Sequence, residues 1–417
     1  MRVVSSSVYL RIIYPRFRAI QQRGLYHTGR MNDGSVGNGK VAVHLSGGGN
    51  IDMQNVFDIT QFGAVGDGVK DCTAQIQAAL DAAGTVRGTV VVPPGRYQTG
   101  YLQMRPGTML RADAAWGFGQ SGTAVFALCD AGAPCLLDCS HALNATVLGM
   151  CFDGGMLGNN IHGLRIAYDV YNGGGHEDAV TIEGCRVAQF SGDGLHFSHA
   201  WCFTVRHSHL AFNRGAGLYL DGWDAFLTDN WFSGNSHCGI RGGPVTSSLT
   251  LTGNRIEWNR VAGVSLCNGD SMSFTGNFFD RSYGPALTLG DHATNDLFGR
   301  CNQPNSVCEV AITGNIFRRS GKPMETPFAD VYDSSHLRLT NCRNVTVTGN
   351  VFRYGRDDDG GGVDSPEYAV VLDGGNNCTL FANPMEHGSM AKNIVVLEKG
   401  VNVTLRDNPG MALHETK

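Results

Sequence analysis

Apolar and polar positions along this 417-residue chain keep two rhythms. From Thr73 to Ala83 they follow helical spacing: Ile76, Ala79, Leu80 and Ala83 share one face, with Asp71 ahead as a cap and Gly84 behind as a stop. Elsewhere the alternation is that of strands. Gly88 to Tyr97 predicts a buried strand halted at Pro93-Pro94-Gly95, and Leu102 to Leu110 predicts another. Further on, one phrase keeps returning. Thr252-Gly253-Asn254-Arg255-Ile256 recurs as Thr275-Gly276-Asn277-Phe278-Phe279, Thr313-Gly314-Asn315-Ile316-Phe317 and Thr348-Gly349-Asn350-Val351-Phe352, and Thr228-Asp229-Asn230 is a worn copy. Positions 229, 253 and 276 lie 24 and 23 residues apart. A period in that range marks one supersecondary unit stacked on itself.

The phrase serves as a ruler. Anchors fall at Gly184, Ser208, Asp229, Gly253, Gly276, Gly314 and Gly349. Ten residues after most anchors a second strand opens, at Gly194, Gly239, Gly263 and Ala286; from Ser208 the distance to Gly217 is one short. Equal offsets then become columns along a solenoid, with neighbours about 4.8 Å apart. The asparagine column reads as stacked turn amides, and Ile256, Phe279, Phe317 and Phe352 read as interior. Gaps of 38 and 35 residues after Gly276 and Gly314 predict inserted loops near 291–306 and 319–334, with a third at 356–366. Loops on one side of a solenoid wall its binding face.

A net charge of −5 with 17% charged residues excludes a nucleic-acid footprint, and 42% hydrophobic content suffices for one long solenoid. Thirteen cysteines without a CxxC read as buried thiols, with a Cys301–Cys308 disulfide as the alternative. No apolar run reaches the roughly 20 residues of a membrane span. Residues 1–30 are arginine-rich, with no acid before Asp33: a transit-like segment or a disordered arm. No secretory apolar core stands there, which favours the cytoplasm over secretion. Asn144, Asn344, Asn377 and Asn402 match glycosylation acceptors, as repetition alone would produce.

The segment Phe57 to Ala112, FDITQFGAVGDGVKDCTAQIQAALDAAG with GTVVVPPGRYQT and GTMLRADA, resembles the opening of pectate-lyase-superfamily proteins of the pectate lyase 3 type. The resemblance implies an all-β, right-handed, single-stranded parallel β-helix whose short N-terminal helix plugs the first coil. Such a plug shields core and unpaired strand edges. The expected organisation is an arm and linker over 1–55 and one domain over 56–417, its cap at 56–112 and its coils at 113–410. The Asn-Thr-Asp, Asp-Asp, Gly-His-Gly and Arg-Ile-Lys set of polygalacturonases is missing, which argues against that activity.

Three constellations suit chemistry on sugars. Glu257 and Asp280 fall one coil apart in one column, Arg318 follows, and Trp258 and Arg281 stand in the next column. Two carboxylates at strand spacing repel, so one keeps its proton as the acid beside a base or nucleophile, and about 5 Å suits a retaining glycosidase. Trp258 would offer a sugar platform and Arg281 a charge partner; the rival reading is a solvated ladder of charges. Second, Asp193, His196, Tyr219 and Arg241 share one outward face over successive coils, with Asp221 and Trp223 at the next corner, a set suited to acid–base work and substrate binding. Third, Asp357-Asp358-Asp359 would hold calcium for a β-elimination; otherwise no cofactor is called for. The expectation is a carbohydrate-active enzyme acting on a polysaccharide or oligosaccharide, a glycoside hydrolase or transglycosidase ahead of a lyase or sugar epimerase. The rival is a non-catalytic, trimeric, tailspike-like glycan-binding module.

Overall fold

The computed structural model describes residues 55–415 except 114–115, 118–121, 170–176, 291–306, 322–329, 354–365 and 386–391. The N-terminal arm, Cys301, Asp357-Asp358-Asp359 and most of the three predicted loops therefore lie outside the described residues. The described strands pair in parallel and form two sheets of 22 and 11 strands. The smaller sheet stacks three-residue strands such as Arg186–Ala188, Arg255–Glu257, Phe278–Asp280 and Ile316–Arg318. The larger takes two strand segments per coil, because strands such as β2 (Leu195–Arg206), β3 (Leu218–Thr228) and β4 (Ile240–Thr252) run continuously through a corner. Strand β1 (His162–Ala167) precedes them.

Helix α1 spans Thr73–Val86 and buries the four residues that its periodicity selects, Ile76, Ala79, Leu80 and Ala83. Asp71 accepts the Thr73 amide at 2.9 Å, as its place before the helix requires. Gly84 does not end the helix. The left-handed residue is Arg87 (φ 53°), and a Cβ at Gly84 would meet the Arg105 side chain at 2.9 Å, so Gly84 serves close packing. The strands predicted at Gly88–Tyr97 and Leu102–Leu110 each break in two, as Thr89–Val91 with Gly95–Thr99 and Leu102–Gln103 with Met109–Arg111.

Register corrects the ruler by one residue. Arg206 pairs with Thr228, Thr228 with Thr252 and Thr252 with Thr275, so His207, not Ser208, is the counterpart of Asp229. From His207 the distance to Gly217 is the regular ten. The anchor column turns left-handed throughout, from Gly184 (φ 61°) through His207 (49°) and Asp229 (54°) to Gly253 (69°), which explains why glycine recurs there. The same correction puts Ala211 in the column of Ala188, Ser233 and Glu257.

The asparagine column is a ladder of seven residues, buried from Asn230 through Asn254, Asn277, Asn315 and Asn350 to Asn383 and ending at the half-buried Asn408. Each Nδ2 donates to the next Oδ1 at 2.9–3.1 Å, and that oxygen also accepts the preceding asparagine's backbone amide. A second ladder joins Asn213, Asn235 and Asn259. Phe279, Phe317 and Phe352 stack inside at 4.9 and 4.8 Å between centroids, nearly parallel at 4° and 9°. Ten of the twelve described cysteines are buried and free, Cys308 among them.

Replacing Asn277 by Ala strips the acceptor from both the Asn254 amide and its Nδ2. Two buried donors left unsatisfied cost about 2–5 kcal/mol together, to be read as a lower urea midpoint at unchanged slope. A second outcome concerns acid. Burial pushes His162 down to about 4, His336 to about 4 and His209 to about 3, with the Arg186 charge adding to the last. The unfolded chain protonates these rings near 6.5, so it binds more protons in that window and stability falls as pH drops from 6.5 towards 4. Urea titrations at stepped pH should show up to about 1.4 kcal/mol lost per pH unit for each histidine, with His336→Gln removing one proton's share.

Candidate active site

On β1 to β4 the apolar residues Leu164, Leu195, Leu218 and Ile240 pair in register and point inward, fully buried. The residue after each must therefore face outward. This gives one row across four coils: Arg165, His196, Tyr219 and Arg241, paired in that order. A glycine precedes every inward residue. A Cβ on Gly194, Gly217 or Gly239 would sit 2.7–2.8 Å from the carbonyl oxygen of the next glycine in the column, so no side chain fits and the coils enter the row at identical places.

The row is a stack. The His162 ring lies 4.1 Å from His196, His196 lies 4.7 Å from Tyr219 at 14°, and the Arg241 guanidinium covers the far face of Tyr219 at 5.2 Å. Asp193 stands behind it. Its Oδ2 accepts from His196 Nδ1 at 2.8 Å, and its Oδ1 accepts the Ala216 amide at 2.7 Å. A carboxylate only accepts, so the His196 proton sits on Nδ1 and the Nε2 lone pair is left for chemistry. His162 takes the opposite tautomer, because its Nδ1 accepts the Asp193 amide at 2.9 Å. Burial works to raise the Asp193 carboxyl, but the His196 hydrogen bond, the two imidazole charges and the Ala216 amide outweigh it and hold the group below its ordinary value. Burial, then the Asp221 carboxylate, raises Tyr219, so its hydroxyl stays protonated at neutral pH.

The corner beyond the row is rich in hydrogen bonds. Asp221 is nearly buried, accepts the Val245 amide at 3.0 Å and lies 3.6 Å from His199 Nε2, whose Nδ1 donates to the Tyr168 carbonyl at 2.7 Å. Trp201 Nε1 donates to Asp224 at 2.6 Å, its amide donates to Asp178 at 2.7 Å, and Tyr168 donates a short bond to Asp178. Trp223 pairs with Trp201 in register, their rings 6.2 Å apart, making a half-buried aromatic shelf beside the row. Asp193, His196, Tyr219, Asp221, Trp223 and Arg241 are thus brought together.

Glu257 and Asp280 pair in register on the smaller sheet, as the ruler has it. They do not form an exposed acid pair. Trp231 Nε1 and Arg255 Nε donate to Glu257 at 2.8 and 2.9 Å. Asp280, 1% exposed, accepts from Arg281 Nη1 at 2.7 Å and from Arg319 Nε and Nη2 at 2.7 and 2.5 Å. Arg281 also covers one face of Trp258 at 4.7 Å, and Arg318 follows Asp280 in the column. These residues, expected to act together, sit on a different sheet from the His196 row and are engaged with one another.

Two residues of the row escape the ruler, His162 and Arg165. The coil that holds them carries no Thr-Gly-Asn phrase, but Gly163-Leu164-Arg165-Ile166 copies Gly194-Leu195-His196-Phe197 and Gly217-Leu218-Tyr219-Leu220, and that shorter repeat reveals them. Among the described residues one group of three His, Cys, Asp or Glu side chains has its ligand atoms mutually within 4.8 Å: His162, Asp193 and His196. Two imidazoles and one carboxylate do not suit calcium, which takes six to eight oxygens.

The arginine cage around Asp280 has a measurable consequence. Asp280→Asn leaves buried guanidinium charge without its anion and should cost about 3–5 kcal/mol by urea denaturation. A catalytic carboxylate with no structural duty would leave stability unchanged.

Comparison with known proteins agrees with this architecture. Residues 56–111 match the family model described as rhamnogalacturonase A/epimerase, pectate lyase-like, and residues 153–302 match the right handed beta helix region. The chain is 30% identical over 195 residues to mannuronan C5-epimerase AlgE4 of Azotobacter vinelandii, covering 43% of this chain and 34% of that protein. It is 29% identical over 213 residues to AlgE1 of the same organism, covering 47% of this chain and 14% of that one. It thus spans about a third or less of these curated relatives. Among solved structures the AlgE4 A-module superposes with a TM-score of 0.67 at 19% identity, covering 86% of this chain and 97% of that one. The Dettilon tailspike protein superposes at 0.55 and 13% identity, covering 85% and 69%. With the parallel coils and the capping helix, these matches show the fold, a right-handed parallel β-helix, and make the chain similar to pectate lyase-like proteins over the matched segments.

Proposed function

We propose that the chain is a carbohydrate-active enzyme whose groove takes a uronate polymer, and that His196 removes the proton from the sugar carbon next to the carboxylate. The observation that carries this reading is the row Arg165, His196, Tyr219 and Arg241 with Asp193 behind it. A hydrogen α to a charged carboxylate is too weakly acidic to leave unaided; a guanidinium on that carboxylate stabilises the dianion formed as the proton departs. Arg165 and Arg241 bracket the row and have no ion-pair partner among the described residues, and the Nε of Arg241 is buried without a hydrogen bond there. His196 offers Nε2 as the base, while Asp193 fixes its tautomer and steadies the imidazolium.

In the step itself the carbon–hydrogen bond breaks, its electron pair passes into the carboxylate, and the proton goes to Nε2. The protonated Tyr219 hydroxyl is suited to donate. A proton returned to the opposite ring face gives the C5 epimer; departure of the O4 substituent instead gives a double bond. Sequence similarity to two mannuronan C5-epimerases supports epimerisation. Hydrolysis by Glu257 and Asp280 has less support, because both carboxylates are held by arginines and, for Glu257, by Trp231.

The test is incubation with polymannuronate, polyguluronate and polygalacturonate in D₂O, followed by proton NMR. Deuterium at C5 with inverted configuration is expected on one of them, and His196→Gln should slow its entry about 10²–10⁴-fold. Olefinic signals would make the enzyme a lyase. Binding without any exchange would make it a glycan-binding module.

A further inference from the structure

We infer that the row takes one uronate at a time with an uncharged sugar beside it, and that Asp138 sets this preference. The favoured substrate then alternates uronates with rings that bear only N–H and O–H groups. This rests on the reading of the row as a uronate site and adds what lies on either side of it. Register extends the row in both directions. Leu102, Leu137 and Leu164 pair in order and are fully buried, so Gln103 and Asp138 face outward ahead of Arg165. Beyond Arg241 the row continues as Ser265, Thr288 and Arg338. Arg338 donates to Asp333 at 2.6 Å and to Asp330 at 2.8 Å and is 4% exposed, so its charge is satisfied within the protein. Ser265 and Thr288 are buried and carry no charge. Cations that a polyanion could reach along the row are therefore Arg165 and Arg241, on either side of His196 and Tyr219.

The Arg165 end of this window is closed by a fixed anion. Asp138 is half-buried; its Oδ1 accepts the Ser140 amide at 2.8 Å and its Oδ2 accepts the Tyr101 hydroxyl at 2.9 Å. Gln103 Nε2 in turn donates to the Tyr101 oxygen at 3.0 Å. These bonds hold the carboxylate in place, and each of its oxygens keeps a lone pair for a further donor. Asp138 and Arg165 are neighbours in register but make no ion pair among the described residues. A linked pyranose ring is about as long as one strand spacing, so the sugar next to one held over His196 and Arg165 lies against Asp138. A carboxylate on that sugar meets a like charge, whereas an acetamido N–H or a hydroxyl meets an acceptor. A homopolyuronide always brings the carboxylate; an alternating polymer brings the donor.

The experiment uses the whole protein in two arms. In the first, calorimetry compares hexasaccharides of hyaluronan and unsulfated chondroitin, which alternate glucuronate with an N-acetylhexosamine, against hexamers of mannuronate, guluronate and galacturonate. One alternating hexasaccharide should bind about tenfold tighter than any of the homopolymeric ones. Asp138→Asn, which keeps an acceptor for the Ser140 amide and is checked for folding by circular dichroism, should tighten the homopolymeric hexamers and bring that ratio to about twofold or less. A homopolymeric hexamer that binds as well as both alternating ones, an unchanged ratio in the folded variant, or no binding of any hexasaccharide overturns the inference. In the second arm, deuterium exchange at C5 on the five parent polymers should follow the same order in kcat/KM, with Asp138→Asn acting on KM. A fall in kcat at unchanged KM would put Asp138 in the proton transfer and overturn its role in selection. If binding follows the expected order while no polymer exchanges, the preference stands and the role of His196 as base falls.

Discussion

A primary amide buried away from water needs two acceptors and a donor, and in the long ladder neighbouring coils supply them. From Asn230 to Asn383 each asparagine donates to the next ladder oxygen and to a backbone carbonyl one coil back, as Asn254 does to Asn277 Oδ1 and the Leu227 carbonyl, and Asn315, Asn350 and Asn383 also reach a carbonyl of their own coil. A slip of one residue in any coil would strand several such groups at once, at a cost well above the roughly 1 kcal/mol that a satisfied hydrogen bond contributes. Register over the coils from Asn213 to Asn408 is tied to that bonding. Because side chains alternate with period two, register also decides which residue of every strand reaches solvent. The row of Arg165, His196, Tyr219 and Arg241 depends on this constraint, although none of its members belongs to the ladder.

The same stacking rule yields opposite chemistry on the two sheets. On the smaller sheet, Glu257 and Asp280 come together with Arg255, Arg281 and Arg319, and the outcome is a closed network in which every carboxylate oxygen is spoken for. On the larger sheet Asp193 is set against two imidazoles, and the flanking Arg165 and Arg241 are half-buried. What differs is engagement: on the smaller sheet the guanidinium groups are bonded to the carboxylates, whereas Arg165 and Arg241 have no ion-pair partner among the described residues. Engagement of the column's charges, more than proximity within it, separates scaffold from site.

Much of this was legible from the residues. The helix face Ile76, Ala79, Leu80 and Ala83, the asparagine column and the phenylalanine column all follow from period alone, since each depends on spacing within or between coils. The outward placement of His196, Tyr219 and Arg241 followed from alternation. The ruler slipped at Ser208 because His207 replaces glycine in a left-handed position, and nothing local announces that exchange. It missed Arg165 and His162 because their coil lacks the marker phrase. It placed Glu257 beside Asp280 correctly and Arg319 one coil on in the adjacent column, but an offset does not show that the Arg319 side chain turns onto Asp280. Long side chains that reach across columns are invisible to a one-dimensional offset.

The glycine column that opens each segment of the row makes the coils interchangeable at their seams, because Gly194, Gly217 and Gly239 present the same backbone surface to one another. Loss of the coil from Leu218 to Gly239 would still join like to like and leave Arg241 next to His196. Gain of a coil would push them further apart. Lineages with this architecture therefore have a route to new specificity by duplication or excision of a whole turn, which respaces the charged groups in steps of one strand while the residues themselves stay unmutated.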